Sequence, residues 1–222
     1  MLVGWLWFPV SHAVELDDQT LRYSVSYITQ DAGELEIIIS REGNQFKTTA
    51  ISHLSPLAMM FLNGLTAETW FTIDGDLLRL ERGHLLAHES TEVATSFEID
   101  RDSGSVKFVP EKDADPVKES DVFESTTFPL VLVTSDIQAI EGQHIREISP
   151  KRVRTYVYLA PEQETLEMDG VNYDTWKVTR HKLGDPTRTV TIWLDRNTQQ
   201  IPVRIITTKD KKDTEIKLIS RS

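Results

Sequence analysis

The stretch Thr189 to Thr207 reads T-V-T-I-W-L-D-R-N-T-Q-Q-I-P-V-R-I-I-T. Two β-branched runs flank a polar turn, Asp195-Arg196-Asn197-Thr198, which is a hairpin pattern. Alternation puts Val190, Ile192 and Leu194 on one face and Trp193 on the other. The same parity groups Ile201, Val203 and Ile205 with the core side, and Arg204 and Ile206 with Trp193. Pro202 cannot donate to a ladder, so it belongs at a strand start, an edge or a bulge.

The pattern spreads in both directions. Tyr23, Val25 and Tyr27 share a face, as do Leu35, Ile37 and Ile39, with Asp31-Ala32-Gly33 read as the turn between them. Phe46 to Ile51, Trp70 to Ile73, Leu77 to Arg82, Val93 to Ile99 and Val106 to Val109 continue the series. Thr155 to Leu159, Tyr173 to Arg180 and Ile216 to Ile219 complete it. Turn residues separate the runs at short intervals, and no longer period repeats. The expected fold is mainly β: a single curved antiparallel sheet, a meander or half-barrel of about ten or more strands. One or two short helices would cover it. Ser55 to Leu65 carries a cap, a proline at the first helical position and an Asn-Gly stop. Phe128 to Ile140 is read as a second short helix packing Leu130, Val131 and Ile137. Pro110 to Glu124, with six acids against two bases, is read as an exposed loop.

Composition narrows the partners. The formal net charge is −11, and the chain contains no cysteine. An acidic surface repels phosphate backbones, so nucleic acid is not expected. Residues 151 to 222 run against the trend, with 14 bases and 10 acids. Lys151, Arg152, Arg154, Lys209, Lys211 and Lys212 are read mainly as solvated strand ends, with peripheral contact to anionic head groups as the other use. Absent cysteine excludes disulfides, thiolate metal sites and lipidation at cysteine.

Met1 to Ala13, M-L-V-G-W-L-W-F-P-V-S-H-A, resembles a secretory signal peptide cut after Ala13, although it has no basic residue at its start. Residues 14–222 would then form one β-rich domain, and the expected location is the periplasm, without a lipid anchor. No other apolar run approaches the ~20 residues of a membrane helix.

Chemistry-bearing motifs are sparse. His84 and His88 are four apart, but the surrounding alternation reads as strand or turn, where that spacing does not converge on a metal. Asp100 to Glu111 departs from a calcium loop at its fifth and sixth positions and reads as a hairpin turn. The pairs Asp74/Asp76, Asp113/Asp115 and Glu162/Glu164 fall in polar turns or loops, where a carboxyl keeps its ordinary acidity. No nucleophile elbow, Walker loop or dinucleotide fingerprint occurs. No catalytic residue, metal or cofactor is therefore assigned.

What remains is apolar surface on both faces of the C-terminal sheet. The second face carries Trp193, Tyr156, Tyr158, Ile206 and Arg204, which are the candidate ligand-binding residues. Either it is covered from within, or a ligand or partner covers it.

From Glu164 onward the run E-T-L, D-G, Y-D-T-W-K-V-T-R, T-I-W-L-D, I-P-V-R-I and I-K-L-I-S resembles the exported bacterial domain-of-unknown-function family 3108. That resemblance implies an envelope protein with a curved antiparallel sheet and supplies no catalytic residues. More loosely, the architecture is similar to the half-barrel periplasmic lipoprotein carriers. The leading expectation is a non-enzymatic carrier for lipid or lipoprotein acyl chains. An envelope protein-interaction module comes second and a polymer hydrolase third.

Overall fold

Side-chain alternation sorts nearly every strand into a core-facing and an opposite set, and the sheet curls around the first set. The computed structural model describes residues 16–55, 66–74, 77–86, 91–111, 116, 122–125, 128–129, 131–132, 136–149 and 152–222. The proposed leader and the Ser55–Leu65 helix, Ser55 apart, lie outside these residues.

The strands are β1 Gln19–Tyr27, β2 Gln30–Glu42, β3 Gln45–Leu54, β4 Thr66–Asp74, β5 Leu77–Leu86, β6 Val93–Asp100, β7 Ser105–Val109 and β8 Val122–Ser125. They continue as β9 His144–Ser149, β10 Arg152–Tyr158, β11 Glu162–Met168, β12 Val171–Lys182, β13 Asp185–Asp195, β14 Pro202–Lys209 and β15 Lys212–Arg221. All join one sheet in the order β7-β6-β5-β4-β3-β2-β1-β15-β14-β13-β12-β10-β9-β8, with β11 added to β12. β1 and β15, the first and last strands of the described residues, pair, and Thr20 and Ser222 exchange backbone hydrogen bonds of 2.8 and 3.0 Å. The expected curved, mainly β sheet is thus present, open between β7 and β8.

One pair departs from the antiparallel scheme. β8 runs parallel to β9. A parallel pair needs a long crossover, and the segment between Ser125 and His144 provides it. This crossover buries Phe128, Val131, Leu132, Ile137 and Ile140 in the core. Of the second helix expected there, the described residues contain helical Val131 and Leu132 and a 3₁₀ turn, Ile137–Ala139, capped by Asp136.

A single apolar cluster includes Leu21, Ile37, Phe71, Leu80, Phe97 and Phe108 from one half of the strand order and Ile145, Val178, Ile192 and Leu194 from the other. Residues so far apart along a sheet meet only because it curls, and β8 accordingly lies against β5.

Three local features differ from a regular reading. The β1–β2 turn is at Ile28-Thr29, both at positive φ (49° and 65°), not at Asp31–Gly33. The register slips between Val25 and Ser26, and β2 passes through Gly33 at φ 121°. A Cβ there would stand 2.2 Å from the His53 carbonyl oxygen, so only glycine fits. In the hairpin of Thr189 to Thr207, Trp193 pairs with Arg204 but Leu194 pairs with Pro202. Val203 is the extra residue of that bulge, and it joins Trp193 rather than the main core. Finally, Val122–Ser125 is a strand, although it falls at the end of the acidic run read as a loop.

Candidate functional site

Arg180 lies on β12 two residues beyond Val178, so the pleat aims it into the apolar interior, where both are buried. Glu147 on β9 has the parity of Ile145 and also points inward. Register then assembles a row of charges. Glu124 on β8 stands opposite Glu147, and Glu147 stands opposite Arg154 on β10. Arg180 stands opposite Tyr158.

Two carboxylates facing each other across adjacent strands repel. Arg180 resolves this by bonding both. Its Nη1 donates to Glu124 Oε2 in a very short contact, and its Nη2 donates to Glu147 Oε2 at 2.7 Å. Tyr158 Oη donates to Glu124 Oε2 at 3.2 Å, and the Arg154 guanidinium stands 3.9 Å from Glu147 Oε1. The Arg180 guanidinium also lies over the Tyr156 and Tyr158 rings, 4.5 and 5.7 Å from their centroids. The Glu124 side chain is 0% exposed and that of Arg180 is 7% exposed, so this is an ion cluster inside the core.

Electrostatics follow from that depth. Burial raises the Glu124 carboxyl above its ordinary value; Arg180 pulls it down and Glu147 pushes it further up. Burial also raises the Tyr158 and Tyr156 hydroxyls, which therefore stay protonated. Burial alone would lower Arg180, but the fields of Tyr158, Glu124 and Glu147 outweigh it and hold the guanidinium charged.

The hydrogen bonding is incomplete. Glu124 Oε1 and Arg180 Nε are buried and have no partner among the described residues, and the Tyr23 hydroxyl of the same core cluster is in the same position. A buried polar group left unpaired costs about 1–3 kcal/mol, so such atoms mark a place for water or a ligand.

The five candidate residues from the sequence divide between two faces. Tyr156 and Tyr158 are in the interior, part of the main core. Trp193, Arg204 and Ile206 are on the opposite face. There, β11 supplies the cover that the sequence left open. Leu166 and Met168 pack with Trp193 and Val203, and Trp193 Nε1 donates to Glu164 Oε1 at 2.5 Å. Arg204 stacks on the indole at 5.0 Å from its centroid, and Trp193 is only 7% exposed. Glu162 and Glu164 thus belong to a strand, where both pair with Lys177 at 3.1 and 3.6 Å.

Elsewhere, His84 packs edge-on against Trp70 with centroids 4.8 Å apart, and burial lowers its pKa. His88 lies outside the described residues. Asp100 closes the β6–β7 hairpin by accepting from Ser103 N at 3.0 Å.

Glu124, Glu147 and Arg180 were missed as site residues. For Arg180 a signal existed, since a charge at a core parity position must be paired. Glu124 gave none, because an acid within an acidic run reads as solvated.

No curated protein matches the chain. A β-barrel-like protein of the domain of unknown function DUF1849 from Brucella abortus is similar in structure, with TM-score 0.52 and 14% identity over 95% of this chain and 99% of that one. The hypothetical lipoprotein YmcC from Escherichia coli K12 is 14% identical, with TM-score 0.37, over 92% of this chain and 88% of its own. LprF from Mycobacterium bovis gives 14% identity and TM-score 0.28 over 92% and 85%. At 14% identity the likeness to the Brucella protein is one of fold. The family profile described as "Protein of unknown function (DUF3108)" matches residues 22–215, a span that takes in both the curled sheet and the buried cluster, and the chain belongs to that family.

Proposed function

We propose that this protein is an exported cell-envelope carrier that holds an amphiphile, a lipid or a lipoprotein acyl chain, inside its curled sheet. The observation that carries the reading is the interior itself. An open sheet wraps an apolar face that, among the described residues, is interrupted by the Arg180–Glu124–Glu147 cluster with its unpaired buried atoms. Apolar walls with a few convergent polar groups are the usual make-up of a small-molecule site. The acyl chain would lie against the apolar inner face beside the crossover that buries Phe128 and Ile137. Its polar end would reach the Arg180 cluster. The expected location is the periplasm, reached through the leader at residues 1–13.

Organic extraction of protein purified from an envelope fraction, followed by mass spectrometry, tests this. The expected result is a co-purifying acyl lipid, with delipidated protein taking up a fluorescent acyl probe saturably. Protein that carries no lipid and binds no acyl probe sinks the proposal.

A further inference from the structure

Arg152 and Arg154 share a face of β10 with Tyr156 and Tyr158, the two rings that Arg180 overlies. Arg188 on β13 has the parity of buried Val190 and Ile192 and lies two strands from β10, about 10 Å away. The three arginines bear on one another. Burial lowers the Arg152 guanidinium, and the charges of Arg154 and Arg188 lower it further, against an upward pull from Glu147 and the Tyr156 hydroxyl. The carboxyls nearby are already engaged. Glu147 accepts from Arg180 at 2.7 Å and faces Arg154 at 3.9 Å, and Glu124 is bonded to Arg180. Asp185 acts on Arg188 but accepts from Thr187 and pairs with Lys182 at 4.0 Å. Among these described residues the four arginines and Lys182 outnumber the three carboxyls, whether or not Glu124 is ionised. Neither Arg152 nor Arg188 has an ion pair with a described residue, and Arg188 Nε is buried without an acceptor. We propose that Arg152, Arg154 and Arg188 form an anion site bordering the Arg180 cluster, and that it takes a phosphate or carboxylate group. On the carrier reading given above, on which this use rests, that group is the head of the carried amphiphile.

The selection follows from the excess of positive charge. An oxyanion offsets the repulsion among the three guanidiniums and supplies the kind of acceptor that Arg188 Nε lacks. Guanidinium forks bond carboxylates and phosphates through two parallel hydrogen bonds, about twice as strong as those to a neutral hydroxyl or amide. Arg152 is exposed and the Arg154 side chain is 17% exposed, so the head stays beside water and avoids the full cost of burying a charge.

The test is a head-group series of equal chain length, hexadecyl phosphate, palmitate and monopalmitoylglycerol, each displacing a fluorescent acyl probe from delipidated protein. Inorganic phosphate alone is the arm for a free anion. The expected result is that both anionic ligands bind at least about tenfold tighter than monopalmitoylglycerol, a difference of about 1.4 kcal/mol. In the double variant Arg152→Gln with Arg188→Gln that preference should shrink to about threefold or less, with monopalmitoylglycerol binding as in wild type. Its urea midpoint shows whether it is folded; should it not be, Arg152→Gln alone, at an exposed position, takes its place and should cut the preference by at least about threefold. Equal or tighter binding of monopalmitoylglycerol by wild type, or an unchanged preference in the folded variant, overturns the anion site and leaves the carrier reading standing. If no acyl ligand binds, the carrier reading falls. The anion site then stands if inorganic phosphate raises the melting temperature of wild type, but not of the variant, above that in chloride at equal ionic strength, and falls if it does not.

Discussion

Replacing Arg180 with glutamine strips the interior of the charge that holds two glutamates together. Glu124 and Glu147 then stand opposite each other on β8 and β9, both buried, with charge-assisted bonds to each lost. Removing one member of a buried ion cluster costs about 3–5 kcal/mol. Against a total stability of about 5–15 kcal/mol, the variant should stay folded but lose a large share of its margin. With a urea slope of about 3 kcal/mol per molar, the upper end of the usual range and the one that suits a chain of this size, the midpoint should fall by about 1–2 M. The loss should also depend on pH, and its sign is fixed. The Glu124 carboxyl already sits above its ordinary value because burial outweighs Arg180, and without Arg180 it rises further. A carboxyl raised in the folded state adds stability below its unfolded pKa and loses it as pH climbs through the folded one. The deficit of Arg180→Gln should therefore be small near pH ~4 and reach its full size through the neutral range. Urea unfolding of wild type and variant at a series of pH values measures it, and carboxyls outside the cluster cancel in the difference. A triple variant, Arg180→Met with Glu124→Gln and Glu147→Gln, should recover most of the loss. A neutral-pH deficit under about 1 kcal/mol, or one that does not grow with pH, would refute the reasoning.

Trp193→Ala should cost about 3–5 kcal/mol in denaturant unfolding, because it empties the outer cluster beneath β11. Glu164→Ala, which removes the acceptor of the indole N–H and the longer of the two Lys177 ion pairs, should cost about 1–2 kcal/mol. Near-wild-type stability of Trp193→Ala would mean that this face is not packed as described. Gly83→Ala places a Cβ 2.4 Å from Phe97 Cε1 and should destabilise by about 1–3 kcal/mol. Combining it with Phe97→Leu should give less than the sum of the two losses in a double-mutant cycle; strict additivity would deny the contact.

The sheet was legible because period-two alternation is a property of the chain itself. Each strand that carries it, from Tyr23 to Ile219, reports its own two faces without reference to a neighbour. What the sequence concealed depends on pairing. β11, E-Q-E-T-L-E-M, has two apolar residues and five polar ones, so it reads as a loop until Trp193 and Val203 are placed beneath it. β8 is a four-residue strand ending an acidic run. It is a strand because β9 offers it an edge and because Phe123 and Glu124 find the interior. Val203 breaks parity at a bulge, which no single-strand pattern reveals. Tyr156 and Tyr158 had the right alternation but no label for which side was inner, and it is the curl of the whole sheet that supplies it.

β12 connects what the sequence treated as one surface. One of its edges pairs with β13, while the other pairs with β11 along its first half and with β10 near its end. Along its first half it holds β11, whose Leu166 and Met168 pack with Trp193. Near its end it carries Arg180 to Tyr158 and so to Glu124 and Glu147. Covering Trp193 and positioning Arg180 are therefore demands on the same strand, met on opposite faces a few residues apart. The hairpin of Thr189 to Thr207 braces that strand from its other side, with Lys177 opposite Trp193 and Arg180 opposite Val190. Its tryptophan is part of the scaffold that fixes where the buried guanidinium stands, and the chemistry lies on the inner side of its neighbour.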